Sequence, residues 1–541
     1  MSKKQNMFKN LKFDLPAGLV VYLVALPLCL GVAMASTNGA LGEVDINLAQ
    51  KLLFSGIIAG AVGGIVVGIL SGSALGVSGP AAGLVTIVLG ALTTLGSFEL
   101  FLLAVFIAGL IQILAGFLKA GAIAYYFPSS VIKGMLAAIG IILILKQIPH
   151  ALGFDKDFMG DEGFEQIDGH NTFTELYYAA RFSSWGAILI ALVSLGLIML
   201  FERPFMKKVG LFKFLPGALF VVLVGILLNY LFSIYYPSWY LNGEHLVSLP
   251  LPKSGADVVG LFTFPDWGGF ANTQVYLVAI TIAIVASIET LLSVEATDKL
   301  DPFKRITPTN RELKAQGLGN AISGLFGGIP ITQVIVRSSA NINSGGRTKM
   351  SAIIHGFILL ISAIIIPQYL NLIPLSALAA ILLMVGFKLA KPTLFIGMFK
   401  LGAEQFLPFL ITVLAVVGLD LLKGIGLGLI IAFIFILYTY KKYPIKMSFK
   451  ELFRAYTLTN EEGVIKVKLA KEVNFLNKGS LSKMLSELPE DSSIEIDGSE
   501  SVNIDYDVLE ILQNFKTLAA PQKNIQVNLI GIEKVASVGG H

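Results

Sequence analysis

The sequence is poor in charge. Of 541 residues only 14% are Asp, Glu, Lys or Arg, against about 25% in soluble domains. With 55% hydrophobic residues and a mean hydropathy of +0.76, this excludes a soluble fold for most of the chain. Cysteine is nearly absent. Cys29 stands alone, so neither an intrachain disulfide nor a cysteine-based metal cluster can form, and its apolar setting fits a small buried residue. The five histidines, at 150, 170, 245, 355 and 541, show no ligand spacing. There is no Gly-x-x-x-x-Gly-Lys-[Ser/Thr] loop, so the chain does not use ATP in that way. No nucleophile–base constellation occurs either. The expectation is a protein that is not an enzyme and has no cofactor and no bound metal. The net charge of +4 is explained by basic loops and gives no reason to expect nucleic acid. Residues 1–16 are polar and basic without a cleavable signal pattern.

What is present is apolar sequence in long runs. Spans are read near 17–36, 51–71, 79–95, 98–118, 128–149, 184–201, 214–234, 273–296, 311–327, 337–345, 350–369, 373–390, 404–420 and 424–440. Several are shorter than the ~20 residues of a straight crossing. With fourteen spans, these clusters of basic residues fall on one side: Lys3, Lys4, Lys9 and Lys12; Arg203, Lys207, Lys208 and Lys213; Lys299, Lys304, Arg305, Arg311 and Lys314; Arg347 and Lys349; Lys441, Lys442 and Lys446. The acidic stretch Asp155–Glu175 and the residues Glu43 and Asp45 fall on the other. The positive-inside rule then puts both termini in the cytoplasm of a multi-pass protein of the cell (inner) membrane. Fourteen divides as seven plus seven, an odd number per half, so the halves insert with opposite orientation. This is the inverted repeat of secondary transporters.

Two spans are broken in corresponding places, the third of each half. Gly327–Ile342 begins with Gly-Gly, reads as extended over Pro330–Val336 and as a helix from Arg337. Ser73–Thr86 reads as a short extended run, a Gly-Pro break with Pro80 suited to the first helical position, and then an apolar helix. An extended run at membrane depth frees backbone N–H groups that lipid cannot satisfy. Such breaks survive only inside protein or beside a watery cavity. A helix start is electropositive, and Arg337 adds a full charge beside one. Two kinked helices with packing glycines would be the structural alternative. The pair of breaks with an arginine favours an anion-binding site.

The other mid-span charge is Glu289, in Ala283-Ile-Val-Ala-Ser-Ile-Glu-Thr-Leu-Leu-Ser, with Ser293 one turn on along the same face. A charge at this depth is costly and marks function by default. A structural ion pair with Arg337 is the alternative, and the two overlap: a glutamate that takes a proton releases the arginine to an anion. Lys146 and Glu295, near span ends, are expected to snorkel. Residues 17–440 thus form the membrane domain, 441–463 a linker, and 464–541 a cytoplasmic α/β domain. Strands are expected at Val464–Leu469, Ser493–Ile496 and Asn524–Ile530, and helices at Asn477–Leu488 and Asp507–Lys516.

These residues carry a resemblance. Asp14-Leu-Pro-Ala-Gly-Leu with Ala25-Leu-Pro, Ser78-Gly-Pro-Ala, Phe127-Pro-Ser-Ser-Val-Ile-Lys-Gly-Met, Leu215-Pro-Gly-Ala-Leu, Asn310-Arg-Glu-Leu-Lys-Ala-Gln-Gly-Leu-Gly-Asn and Ser344-Gly-Gly-Arg-Thr together resemble the SulP (sulfate permease) family, relatives of the animal solute-carrier anion exchangers including prestin. The tail resembles that family's STAS domain. The resemblance implies fourteen transmembrane segments with half-helices in segments 3 and 10, and spans 1–4 and 8–11 moving as a core against a gate of 5–7 and 12–14. It implies a homodimer and a small inorganic anion as substrate. The anion would sit between Ser78, Gly79 and Ala81 on one side and Val336, Arg337 and Ser338 on the other, with Pro27 and Leu28 of span 1 lining it. Glu289 occupies the family's acidic position in span 8. A sodium–bicarbonate symporter of the family carries aspartate there and lacks the arginine; proton-coupled sulfate carriers have glutamate. Leu28 replaces a glutamine common in the animal members. The family's phosphorylatable Asp-Ser-Ser turn reads Asp505-Tyr506-Asp507 here, and Asp507 cannot take a phosphate as serine does.

The expected function is therefore secondary active transport of an inorganic anion, sulfate or bicarbonate and possibly chloride. Coupling is expected to a proton through Glu289 and Ser293, by an elevator-like movement. The alternatives are a sodium-coupled bicarbonate symporter, an anion exchanger or channel, and a receptor that uses the tail for signalling.

Overall fold

The computed structural model describes residues 10–37, 46–156, 159, 164, 171–203, 206, 216–252, 254–443, 449–461 and 464–532. Lys3, Lys4, Lys9, Glu43, Asp45, Lys207, Lys208, Lys213, Lys446, His170, His541 and most of the acidic loop before Glu175 lie outside the described residues.

Apolar sequence in lipid must satisfy its backbone internally, so the runs become helices. They are α1 (Leu11–Thr37), α2 (Ile46–Val62), α3 (Val85–Leu95), α4 (Phe98–Phe117), α5 (Ser129–Leu152), α6 (Thr172–Arg181), α7 (Trp185–Phe201), α8 (Gly217–Tyr235), α9 (Thr273–Leu300), α10 (Thr309–Leu325), α11 (Ile335–Asn343), α12 (Met350–Ile365), α13 (Leu375–Leu389), α14 (Pro392–Lys400), α15 (Ala403–Gly418) and α16 (Leu421–Lys442). Among the described residues eight helices are long and apolar enough to cross a membrane, or nine if α6 and α7, bent by 112°, count as one. Three apolar helices are shorter, and α10 and α11 do not meet the test. The reason is in their residues: α10 carries Asn310, Arg311, Glu312, Lys314, Gln316 and Asn320, and α11 is nine residues long.

The chain forms two compact units. The first holds residues to Gly121, Ile139–Asp301 and Arg305–Ala390; the second holds Ala122–Ala138, Pro302–Lys304 and the chain from Lys391. This boundary runs differently from the implied core and gate, since spans 6 and 7 fall in the first unit.

In the first unit the helices approach through glycine, because lipid removes the hydrophobic drive for helix association and close van der Waals packing takes its place. On α4 and α10 a Cβ at Gly109 would lie 2.4 Å from Gly317 O, and one at Gly324 would lie 2.7 Å from Leu102 O. On α2 a Cβ at Gly56 would lie 2.0 Å from Cys29 O. Pro27 lies inside α1 and removes the donor for the Leu23 carbonyl. The second span continues from α2 through a π-helical turn, Gly63–Val67, to Leu70. Lys146, expected to snorkel, is only 6% exposed; it sits deep in α5, six residues before the helix ends.

At the end of α5 the Asp155 carboxylate bridges His150 Nδ1 and His245 Nδ1, each at 2.6 Å. Burial opposes the Asp155 charge, but the two imidazole hydrogen bonds outweigh it and lower its pKa. The same bond raises that of His245 against partial burial. The His245 contribution to stability is thus present below the usual histidine range and lost as pH rises through the raised value.

In the second unit α14, α15 and α16 and the start of α5 join the tail. A four-stranded sheet has the order β3 (Tyr456–Glu461), β4 (Val464–Leu469), β6 (Ser493–Asp497), β8 (Gln526–Ile530), with only the β3–β4 pair antiparallel. The short strands β5 (Glu472–Val473) and β7 (Asn503–Ile504) pair in parallel. α17 (Phe449–Phe453) precedes the sheet, and α18 (Lys478–Ser486) and α19 (Tyr506–Asn514) pack on it through Leu481, Leu485, Val508 and Leu512. The sheet thus reaches back into the 441–463 stretch read as a linker, because β3 offers only Tyr456 and Leu458 in alternation before Asn460 and Glu461.

The glycine contacts yield a stability prediction. Gly109→Val forces a side chain into the α10 backbone, where overpacking costs about 1–3 kcal/mol, and should lower the melting temperature in detergent. Gly90→Ala on α3 meets no atom within 4 Å and should leave it unchanged. Equal melting of the two variants would refute the packing account.

Candidate functional site

The two broken segments meet. β1 (Ser78–Pro80) pairs antiparallel with β2 (Ile331–Gln333), with Ser78 opposite Gln333, Gly79 opposite Thr332 and Pro80 opposite Ile331. Pro80 closes the strand and is not the first helical residue. A 3-10 turn, Ala82–Leu84, leads into α3. On the other side Val334 is the N-cap and α11 starts at Ile335, two residues before Arg337. The pairing runs antiparallel, so the two helices leave from opposite ends of the ribbon with their positive ends toward it.

Side chains from neighbouring helices satisfy several of the ribbon's remaining polar groups, while Gln333 Oε1 has no partner. Asn320 Nδ2 donates to Ile331 O at 2.9 Å while its Oδ1 accepts the Ile331 N–H at 2.7 Å. Gln112 Oε1 accepts a second Asn320 hydrogen bond at 2.7 Å. Gln333 N–H donates to Thr290 Oγ1 at 3.3 Å, and Gln333 Nε2 donates to Thr297 Oγ1 at 2.9 Å. Gln316 Nε2 donates to Ser78 Oγ at 2.6 Å and to Glu312 Oε1 at 3.1 Å, and Ser71 Oγ donates to Glu312 Oε2 at 2.5 Å. Asn341 Nδ2 donates to Leu75 O at 2.9 Å. A Cβ at Gly63, in the π-turn, would lie 2.3 Å from Ser78 O.

The helix starts are left open. Neither Ala81 nor Val334 caps its helix with a side-chain hydrogen bond. An α-helix provides no internal acceptor for its first N–H groups, which in α11 include those of Ile335, Val336 and Arg337. The Arg337 side chain is wholly buried. Its Nη2 donates to Pro80 O at 3.2 Å, while Nε and Nη1 meet no oxygen or nitrogen partner. The guanidinium lies across β1, where a Cβ at Gly79 would sit 1.9 Å from Nη1. Glu289 reaches the same segment from α9, its Oε1 2.8 Å from where a Gly83 Cβ would be. One element therefore meets the cation at Gly79 and the acid four residues later.

Ser78, Gly79, Ala81, Val336, Arg337 and Glu289 come together at this crossing, and all six are buried. Ser338 does not offer its hydroxyl: the oxygen accepts the Val77 N–H at 3.0 Å and donates to Val334 O at 2.8 Å. The Ser293 carbonyl accepts from Gln333 Nε2 at 3.4 Å, so this residue supports the ribbon. Pro27 and Leu28 are buried in α1, which packs against both α3 and α11. Sequence reasoning missed Gln316, Asn320, Thr290 and Gln333. Glu312, Gln316 and Asn320 recur every four residues, the spacing of one helix face, and that stripe was the available signal. It missed His355 of α12 too, wholly buried with neither ring nitrogen hydrogen-bonded.

Removing the Asn320 clamp should be costly. Asn320→Ala strands the buried N–H and C=O of Ile331, at about 1–3 kcal/mol for each unsatisfied group. Thermal unfolding in detergent should show a markedly lower midpoint than for Asn310→Ala, whose side chain accepts from Gly121 N–H at 2.9 Å in a part-buried setting. Equal midpoints would contradict the clamp's role.

A profile described as the sulfate permease family matches residues 11–412. YvdB of Bacillus subtilis (strain 168), provisionally named a sulfate transporter, is 30% identical over 78% of this chain and 73% of its own length. The bicarbonate transporter BicA of Picosynechococcus sp. is 26% identical over 79% of this chain and 70% of its own. Among solved structures, SLC26A9 matches with a TM-score of 0.55 at 15% identity, covering 99% of this chain and 86% of that one. The transmembrane domain of a cyanobacterial BicA matches with a TM-score of 0.50 at 24% identity, covering 79% and 98%.

Proposed function

We propose that this chain, which belongs to the sulfate permease family, is a secondary transporter of small inorganic oxyanions. The observation that carries this reading is the crossing of two uncapped helix starts over a buried, under-bonded Arg337. Such a site has positive charge and free donors at membrane depth and is incomplete without an anion. The names of YvdB and BicA make sulfate and bicarbonate the substrates to test first. The fourteen-span inverted repeat, cytoplasmic termini, homodimer, STAS identity of the tail and elevator-like movement belong to the same proposal. The fold likeness to SLC26A9 supports the architecture alone; the termini rest on the placement of the basic residues, and the homodimer, STAS identity and movement on the sequence resemblance to the family.

We assign proton coupling to Glu289. Ionised, it competes with the anion for the positive field at the start of segment 3; protonated, it stops competing. Proton and anion then bind together, and each raises the other's affinity by the same factor. Sodium-coupled bicarbonate symport is the second reading; the likeness to BicA, a bicarbonate transporter, favours the bicarbonate part of it.

The test is uptake of labelled sulfate and bicarbonate by proteoliposomes, with pH and sodium gradients imposed separately. Arg337→Ala should reduce anion affinity by at least about tenfold in protein that still folds, as measured by equilibrium binding; unchanged affinity removes Arg337 from the site. Glu289→Gln should still exchange anion, with little pH dependence, but should not concentrate it on a proton gradient. Proton-driven accumulation by this variant would dismiss Glu289 as the coupling group, and a sodium requirement without a proton effect in the wild type would favour symport of the second kind.

A further inference from the structure

We infer that an acid-lined cavity inside the second unit is a proton-binding site, in which a proton carried by Glu472 and Asp505 keeps the tail seated on the start of α5 and on α15. This goes beyond the transport reading and does not depend on it.

The cavity has a volume of about 20 Å³, room for about one water. Glu404 and Gln405 of α15, and Glu472, Asn474 and Asp505 of the tail, line it, with no basic residue among the lining side chains. Glu472 is 3% exposed; its Oε1 accepts from Asn503 Nδ2 at 3.2 Å, while Oε2 has no partner. Gln405 Oε1 and Asn474 Nδ2, 8% and 2% exposed by residue, are also unpartnered. Glu404 is exposed, but Glu472 is buried with one oxygen unpartnered and Asp505 lies across the same small space, so these two carboxylates cannot both stay ionised without further donors. A proton turns one oxygen into a donor, and Gln405 Oε1 and the neighbouring carboxylates are acceptors in the same cavity.

The surrounding contacts are those that dock the tail. Asp507 Oδ2 accepts the Ser129 N–H at 2.7 Å in the first turn of α5, an N-cap supplied from another part of the chain. Gln405 Nε2 donates to Asp505 Oδ2 at 3.5 Å. The basic groups nearby are engaged outside the cavity: Lys133 of α5 lies 4.6 Å over the Tyr506 ring and donates to its hydroxyl at 3.3 Å, and Lys478 donates to Phe127 O at 3.2 Å. The other ionisable groups facing the cluster are acidic or phenolic: Asp507 and Glu510 of α19, Glu451 of α17 and Tyr440 of α16.

Burial pushes Glu472 up to about 7, against the Asn503 hydrogen bond and with Glu404 adding to the rise. Burial and then the Asp507 charge raise Asp505 well above the carboxylate range. A carboxyl whose pKa is raised on docking penalises docking only when it would otherwise ionise. Docking is therefore strongest below the ordinary carboxylate range. It weakens as pH rises toward and through about 7 for Glu472, with Asp505 carrying the loss higher.

The test is hydrogen exchange on the full chain in lipid nanodiscs, corrected for intrinsic rates, in a choline buffer free of sodium, potassium and calcium. Peptides spanning 127–137 and 503–512 report docking. Wild type should lose at least about tenfold of its protection there between about pH 6 and about pH 9. Glu472→Gln and Asp505→Asn should retain it at the higher pH. Equal wild-type protection at both pH values overturns the proposal, as do variants that follow the wild type. If sodium, potassium or calcium chloride restores wild-type protection saturably at the higher pH, the cavity holds a metal cation and the proton assignment is overturned. The wild-type profile stands as a test even if a variant misfolds.

Discussion

The three-residue pairing of Ser78–Pro80 with Ile331–Gln333 is the contact on which the membrane domain depends. Extended backbone at membrane depth survives only if every N–H and C=O finds a partner in protein. A ribbon this short can satisfy only part of its own backbone. Asn320 of α10 and Thr290 of α9 meet the backbone of Ile331 and Gln333, Ser338 of α11 accepts the adjoining Val77 N–H, and Gln316 of α10 holds the Ser78 hydroxyl. The polar character of α10, which keeps it from looking like a membrane helix, is thereby explained: the membrane domain places its hydrogen-bonding side chains where the backbone is broken.

That arrangement concentrates positive potential at the crossing, with Glu289 the acidic side chain that reaches the same segment. The ribbon's partners satisfy the strands, while the starts of α3 and α11 lack side-chain caps, and Arg337 makes one hydrogen bond to Pro80 O. Capping the helices with Ser or Asp would steady the fold but would fill the place of a guest. Glu289 reaches the same segment at Gly83. Its carboxylate and the guanidinium thus lie along one short segment, four residues apart.

Much of this was legible in the sequence. Gly-Pro and Gly-Gly in apolar runs, and lone charges at Glu289 and Arg337, located the crossing, because membrane sequence tolerates such residues only for a reason. The tail strands from Val464 and Ser493 were legible through alternation. β3 was not, since its alternation stops after Tyr456 and Leu458, before Asn460 and Glu461. The role of Ser338 was misread because its spacing from Arg337 says nothing of which backbone group its hydroxyl meets. Asn320 was visible as a residue but not as a clamp: its partner lies eleven positions away, across a Gly-Gly turn.

Gly79 and Arg337 come from opposite halves of the chain, yet one occupies the space that a side chain at the other would need. Their fates in descent are joined. A side chain at 79 requires the guanidinium to swing aside, and a lineage without the arginine would be free of that demand. What one position tolerates is therefore set by what stands at the other: with glycine at 79 the guanidinium lies across the strand, and with alanine or serine there it must take another path.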